Sequence, residues 1–404
     1  MIKEIHGSVT TPAGFSAAGV ACGIKPGSKK PDLGLVHSDS PCVAAAVFTQ
    51  SAVVSAHVTR GRTQMARGEL QTIIANSGNA NACTGEGGIA DAHEMASLAG
   101  RLLSVPSDCV FVASTGVIGV PLPMDRVRRG LEDSVASLAS GSQAGHAFAR
   151  AIMTTDTRPK EVAVEVQAGS VRGTVAGAAK GAGMIAPNMA TMLCFLTTDL
   201  CVSKELAAKA LRAAVDESFN RITVDGHPSP SDTVVLLANG QAGNPQLARG
   251  RKKSEEFTDA VLYACSGLAE QIVRDGEGAT KLIEVRVTGA RTTGQAETVA
   301  REIANSPLVK TAANGEDPNW GRIITAAGNS GVKIDPNRLV LRIGREVAFD
   351  HGAPSGVPKE RVREEMKGSD LLFWLDLGQG RSKASIWTCD LSSEYVKINA
   401  EYTT

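Results

Sequence analysis

Thr191 closes a glycine-rich stretch, Lys180-Gly181-Ala182-Gly183-Met184-Ile185-Ala186-Pro187-Asn188-Met189-Ala190-Thr191, and heads an apolar, β-prone run from Met192 to Leu196. A threonine hydroxyl is a weak nucleophile until a base sits beside it. One such base is the threonine's own amine, once the bond from Ala190 is cut. An α-amine has a reference pKa of about 7.7–8, which suits a general base near neutrality. The plainer reading of the same residues is a glycine turn entering a core strand. A second group is Ser114-Thr115-Gly116, at the end of the apolar run Val110-Phe111-Val112-Ala113. A hydroxyl and a backbone amide aimed at one point could stabilise the oxyanion of an acyl transfer, which needs donors where negative charge develops; a strand-to-helix turn is its plain alternative. Lys180 could bind a substrate carboxylate, or be a solvated lysine. Glu277, between two glycines, could hold an ammonium group, or be a surface turn carboxylate. Thr154 could be a helix-end residue, and the tail Asn399-Ala400-Glu401-Tyr402-Thr403-Thr404 an ordinary frayed terminus.

The elements that must position these residues are legible from pattern. Residues 1–60 read as short strands and turns, with turn signals at Pro12-Ala13-Gly14-Phe15 and Gly23-Ile24-Lys25-Pro26-Gly27 and a strand at 43–48. A strand at 71–75 runs into a polar loop, Asn76 to Gly85, and then a helix at 89–103. Strand 110–113 is followed by helices at 121–139 and 142–153. Alternating Val162, Val164 and Val166 predict a strand whose hairpin partner, 170–178, leads to the central loop. After Thr191 come a strand to Leu200 and a helix from its Ser203 cap to Phe219. Strands at 222–224 and 233–238 flank a polar loop, and a long helix carries Phe257, Val261, Cys265, Leu268 and Ile272. The pattern restarts with a strand at 283–287, a helix at 293–305, strands within 338–349 and a last strand at 382–387. Short, often hairpin-linked strands interspersed with helices favour an α/β chain of the α+β type with mixed or antiparallel sheets over a doubly wound parallel fold. A boundary near 281–290 divides a catalytic region, 1–283, from a smaller C-terminal α/β domain, 284–404.

Composition excludes several classes. The 404 residues suffice for two packed units. Hydrophobic residues are 43% and aromatics 4%, so cores must be built from Val, Ala, Leu and Ile. Lys+Arg equals Asp+Glu at 42 each, which argues against nucleic-acid or membrane-surface binding as a general property. Charges at Lys3 and Glu4 interrupt any signal-peptide run, and no apolar stretch approaches the ~18 residues of a membrane span. The eight cysteines are scattered without a CxxC pair, fitting buried free thiols in a cytoplasmic protein. No phosphate loop, dinucleotide fingerprint or HExxH spacing occurs, so no metal is expected. No GxSxG elbow is visible, although a Ser-His-Asp triad is not excluded by sequence.

The words of the loop carry more than their spacing. The segment 180–193, Asn76 to Gly85, Ala113 to Gly119, Phe219 to Gly226 and Gly315 to Arg322 resemble, over nearly the whole chain, the ornithine acetyltransferase (glutamate N-acetyltransferase, ArgJ) family of arginine biosynthesis. The resemblance implies a layered αββα-like self-processing fold. It implies cleavage between Ala190 and Thr191 into an alpha chain, 1–190, and a beta chain, 191–404, paired as a heterotetramer of two of each. It implies Thr191 as nucleophile, Thr115 and Gly116 as oxyanion donors, and Thr154, Lys180, Thr191, Glu277, Asn399 and Thr404 as substrate contacts. The implied reaction moves acetyl from N-acetyl-L-ornithine to L-glutamate through an acetyl-Thr191 intermediate, with no cofactor; acetyl-CoA as a further co-substrate is left open. One departure stands out. Where the family carries a polar Asp-Thr-Ser-Thr-Asn-Asp run, this chain has His227-Pro228-Ser229-Pro230-Ser231-Asp232, and two prolines remove amide donors. Two other readings stay open: a self-processing amidase or aminopeptidase with water as acceptor, and a non-catalytic amino-acid-binding protein.

Overall fold

The computed structural model describes residues 2–168, 171–186, 192–248 and 253–401. Contacts divide the chain into one unit of Met1–Asn220 and His227–Ile272, and another of Arg221–Gly226 and Val273–Thr403. The division falls before the 283/284 boundary suggested by sequence. Arg274 pairs with Asp370, and the amides of Thr280 and Lys281 each donate to Asp390 Oδ1 at 2.8 Å, so this stretch is bonded within the second unit.

The first unit holds strands β1 (Lys3–Ile5), β2 (Phe15–Val20) and β3 (Leu33–Phe48), helix α1 (Ala56–Gln64), β4 (Glu69–Asn79), α2 (Gly85–Leu103), β5 (Val110–Val117), α3 (Met124–Ala136) and α4 (Ser142–Ala151). It continues with β6 (Lys160–Ala168), β7 (Val171–Lys180), β8 (Leu193–Thr198), α5 (Lys204–Glu217), β9 (Thr233–Ala238) and α6 (Lys253–Arg274). The sheet runs β1-β6-β7-β8-β9-β3-β4-β5, with β2 also on β3. The pairs β4–β5 and β8–β9 are parallel and the other pairs antiparallel, a mixed sheet as expected.

Residue parity along the strands shows the layering. Ile73 and Ala75 of β4, Phe111 and Ala113 of β5, Leu193 and Phe195 of β8, and Val235 and Leu237 of β9 share one core. Ile74, Val110 and Val112 face the opposite way, into a second core with Met95, Ala96 and Ala99 of α2 and Val127 and Leu131 of α3. Every residue of β8 and β9 is buried. Because side chains alternate across a strand, both faces of these strands are covered. Two sheet regions therefore meet across a shared core with helices outside, the αββα sandwich. Within that core the rings of Phe148, from α4, and Phe195 meet edge to face at 5.5 Å.

The second unit holds β10 (Leu282–Ala290), α7 (Thr293–Asn305), α8 (Pro307–Asn314), α9 (Trp320–Gly328), β11 (Val340–Ile343), β12 (Glu346–Asp350), β13 (Ala353–Pro354), α10 (Lys359–Met366), β14 (Asp370–Asp376), β15 (Ser382–Cys389) and α11 (Ser393–Glu401). Its sheet, β13-β12-β11-β14-β10-β15, buries one face. Ile283, Val285, Val287, Leu371, Phe373 and Leu375 point into a single core with Val299 and Ile303 of α7.

Several local expectations are corrected. Residues 33–48 form one long strand rather than short pieces. Asn76 to Asn79 continue β4 instead of starting a loop, because the parallel partner β5 pairs with them. Residues 222–224 make only an isolated bridge, Ile222 to Trp387. Part of the tail is a helix, α11. Cys42, Cys194, Cys265 and Cys389 are buried free thiols, but Cys83 is exposed. Among the described residues no helix is long and apolar enough to cross a membrane, and no group of three His, Cys, Asp or Glu side chains could hold a metal.

Candidate active site

β5 carries Thr115 and Gly116 because it runs parallel to β4, with Ser77 opposite Thr115 and Gly78 opposite Gly116. The ladder is irregular at Gly78 and Asn79. Gly116 has φ +133, and a Cβ there would lie 2.4 Å from the carbonyl carbon of Gly78. A glycine is thus required at 116 by strand geometry alone. Polar side chains at this strand end bond one another: Ser114 Oγ donates to Asn76 Oδ1 at 2.7 Å, and Asn76 Nδ2 donates to the Asn79 carbonyl at 2.8 Å.

Thr115 and Lys180 are both only 2% exposed, and Lys180 Nζ donates to Thr115 Oγ1 at 3.4 Å. The solvated-lysine reading of Lys180 therefore fails. β7 delivers the lysine at its last residue, straight into Gly181. Asp156, a residue that pattern reading missed, fastens this region. Its Oδ1 accepts from Lys160 Nζ at 2.6 Å and from the Gly181 amide at 2.7 Å, and its Oδ2 accepts from the Thr154 amide at 2.9 Å. One buried carboxylate therefore ties the backbone at Thr154 to the backbone after Lys180. Burial alone would raise its pKa, but Lys160, Lys180 and the Gly181 amide hold it well below the ordinary carboxylate range. Its only sequence signal is a lysine four residues on, which is a pairing pattern of helices and not of this turn.

Lys25 joins the same region. Its Nζ donates to the carbonyls of Met153 at 2.8 Å and Pro31 at 3.2 Å. Burial pulls its pKa down to about 8, with Lys180 adding to the shift and Asp32 and Asp156 opposing it. Three ammonium groups (Lys25, Lys160, Lys180) thus face two carboxylates, Asp32 and Asp156, an electrostatic setting suited to an anionic ligand.

Ala190 and Thr191 lie outside the described residues. The chain resumes at Met192, whose amide donates to Asp232 Oδ1 at 3.0 Å and whose carbonyl accepts from the Thr233 amide at 3.1 Å. The proline-containing loop before Asp232 is built into the core. The Ser229 carbonyl accepts from Thr49 Oγ1 at 2.8 Å, the Pro230 carbonyl accepts from the Ser55 amide at 2.9 Å, and the Ser231 and Ser55 hydroxyls meet at 2.6 Å. His57 Nε2, 3.1 Å from the Ser231 carbonyl, completes the layer. Burial lowers the pKa of this imidazole to about 4, so it is neutral at working pH.

The second unit brings two of the expected substrate residues together. Glu277 is 8% exposed, not a surface carboxylate, and its Oε2 accepts from Asn399 Nδ2 at 2.7 Å. Asn399 also donates to the Tyr395 carbonyl one helical turn back, so α11 presents it. The Tyr395 hydroxyl donates to Asp225 Oδ2 at 3.3 Å, and burial, then Asp225 and Glu277, push its pKa up. Gly278 (φ +69) lets the turn pass under α11; a Cβ there would meet the Tyr395 amide at 2.6 Å. Thr404 lies outside the described residues.

A family model described as the ArgJ family matches residues 16–404. The "Arginine biosynthesis bifunctional protein ArgJ" of Symbiobacterium thermophilum is 49% identical over 100% of both chains. The protein of the same name from Dehalococcoides mccartyi is 47% identical over 98% of each. Among solved structures, the arginine biosynthesis bifunctional protein argJ of Bacillus halodurans is similar at 42% identity and a TM-score of 0.50, over 52% of this chain and 98% of that one. These matches agree with the motif words and with the mixed-sheet sandwich: the chain belongs to the ArgJ family.

Proposed function

We infer that the protein is a self-cleaving N-terminal-threonine acetyltransferase of arginine biosynthesis. It moves acetyl from N-acetyl-L-ornithine to L-glutamate. The observation that carries this reading is the buried group of Thr115, Lys180 and Asp156, fixed immediately before the segment that ends in Ala190-Thr191, in a chain of this family. In maturation the Thr191 hydroxyl oxygen bonds to the Ala190 carbonyl carbon. The peptide C–N bond breaks, and its nitrogen takes the hydroxyl proton. Water hydrolyses the resulting ester and leaves chains 1–190 and 191–404. In turnover the freed amine serves as base, directly or through water, and the hydroxyl takes acetyl from N-acetylornithine. Thr115 and the Gly116 amide meet the oxyanion. Ornithine leaves, glutamate enters, and its amine collects the acetyl group. An amide is exchanged for a similar amide, so no energy-rich cofactor is needed.

Lys180 suits the carboxylate common to both amino acids, and Glu277, seated by Asn399, suits an ammonium group. Thr154 and Thr404 complete the proposed substrate contacts. The relatives' name includes the word bifunctional, which supports a second activity with acetyl-CoA as donor, making N-acetylglutamate directly. A cytoplasmic assembly of two alpha and two beta chains fits these roles. The test is the intact mass of the protein beside Thr191→Ala, followed by acetyl-transfer assays. Fragments of 190 and 214 residues (404 − 190) from the wild type alone, with glutamate accelerating loss of N-acetylornithine, support the reading. A chain that stays whole when folded overturns it. Cleavage with loss of N-acetylornithine that ignores glutamate favours the amidase.

A further inference from the structure

Asp232 is fully buried, and its two carboxyl oxygens are unequal. Oδ1 accepts the Met192 amide at 3.0 Å. Oδ2 is buried with no hydrogen-bond partner among the described residues. A buried carboxyl oxygen left unpaired is destabilising, and folded chains seldom retain one without a use. The Asp232 carbonyl already holds the loop by accepting from the Thr49 amide at 2.9 Å, and Ser229 and Ser231 are bonded to Thr49 and Ser55. The carboxyl is anchored to the first amide after the scissile segment. Covalent geometry bounds how far the residue-191 nitrogen can lie from the carboxyl, within about 7 Å of Oδ1. The nitrogen of residue 191 is linked to Met192 N through only two backbone carbons, so the two nitrogens are never more than about 4 Å apart.

We propose that Asp232 is a positioning residue for the reaction, its Oδ2 accepting a hydrogen bond from the α-amine that chain scission creates at residue 191. This rests on the self-cleaving reading above. Before scission that nitrogen is an amide with a single hydrogen; afterwards it is an amine with hydrogens to spare and a lone pair. Donating one hydrogen to Oδ2 holds the amine in place and leaves the lone pair for the nucleophile's hydroxyl. The surroundings agree. Burial raises the pKa of Asp232, while the Met192 and Ser229 amides, Lys180 and Thr49 oppose the rise. The charged or titratable groups facing it are Lys180 at the end of β7 and, through Ser231, the neutral His57 of α1.

The test uses the full chain with Asp232→Asn, which keeps an acceptor for Met192 but replaces the second acceptor by a donor. The expected result is a cleaved, folded protein whose kcat falls about 100-fold, with KM for N-acetylornithine within about two-fold. The acid limb of its kcat/KM profile should move about one unit lower, because a neighbouring carboxylate raises an amine's pKa and its loss lowers it. Asp232→Ala with added formate is the companion: formate should restore at least ten-fold of the lost kcat. An Asn variant with wild-type kcat and pH profile overturns the proposal. So does a folded Ala variant that formate does not rescue, or failure of both variants to fold, which would make the residue structural. If the wild type itself never cuts, the underlying reading falls instead. If the wild type cuts and transfers while the Asn variant matches it, only this inference falls.

Discussion

The Thr115–Lys180–Asp156 group and the Glu277–Asn399 pair are both proposed to meet substrate, yet they are built differently. The first sits at the ends of strands whose neighbours are buried on both faces. Asp156 holds the amides of Thr154 and Gly181 and the Lys160 ammonium, and Lys180 donates to Thr115 Oγ1. The second joins a buried carboxylate in a turn to an exposed asparagine on a nine-residue helix with no buried residues. Groups that stabilise a developing charge must already be in place when the charge appears, and burial with paired charges supplies that rigidity. A group that grips a substrate's side chain needs to yield to two amino acids in turn, and a short helix with few anchors can do so. The contrast suggests that the first region sets kcat and the second sets KM.

The largest effect should follow from breaking the first region's anchor. Asp156→Ala removes the carboxylate that pairs with the buried Lys160 ammonium and that accepts from the amides of Thr154 and Gly181. The expected loss is about 3–5 kcal/mol, read from urea unfolding. A loss under about 1 kcal/mol would show that the rigid region is not rigidified by charge. Thr115→Val keeps shape and removes one donor. It should lower kcat about 100- to 1000-fold, leave KM nearly unchanged and preserve the melting temperature. A change confined to KM would erase the proposed division of labour. Glu277→Gln is expected to raise KM for N-acetylornithine by about ten-fold or more with a smaller change in kcat. Asn399→Ala removes one hydrogen bond to a charged acceptor and should raise KM only several-fold, by ~1 kcal/mol.

Acid titration sharpens the same comparison. Asp156 has a depressed pKa in the folded state, so its stabilisation is present above the unfolded carboxylate value of about 3.9 and is lost as pH falls below it. Stability of the wild type should therefore decline below about pH 4, and the Asp156→Asn variant should show a shallower decline in the same window. Equal slopes would mean that other carboxylates dominate acid unfolding.

Much of the scaffold was legible because local pattern and tertiary packing agree. Helix 293–305 has the bounds the apolar spacing suggests, with Thr292 Oγ1 accepting from the Gln295 amide. Ser203 caps α5 through Leu206. The sequence misled where packing overrode composition. Asn76-Ser77-Gly78-Asn79 reads as a loop, yet it is strand because β5 lies alongside and its polar side chains find partners there. The missed helix α11 has a weak apolar face and no buried residue, so no periodic signal existed.

The residues of the candidate site divide the same way. Thr115, Lys180, Glu277 and Asn399 were singled out through the family resemblance. Asp156 was not, because a lone aspartate in a turn carries no signal, and Asp232 was noted only as the end of the proline-containing run. What the sequence determined by itself was the run of strands and helices, the glycine-rich loop and the family, since these depend on residue order and local propensity. What only the tertiary structure decided was which charges are buried and what they hold. Asp156 and Lys160 lose their water in a fold assembled from distant strands, and Asp232 meets the Met192 amide forty positions back along the chain only because β8 and β9 pair side by side. Desolvation belongs to the packed chain and not to any stretch of it, so the electrostatics of the site could be read only there.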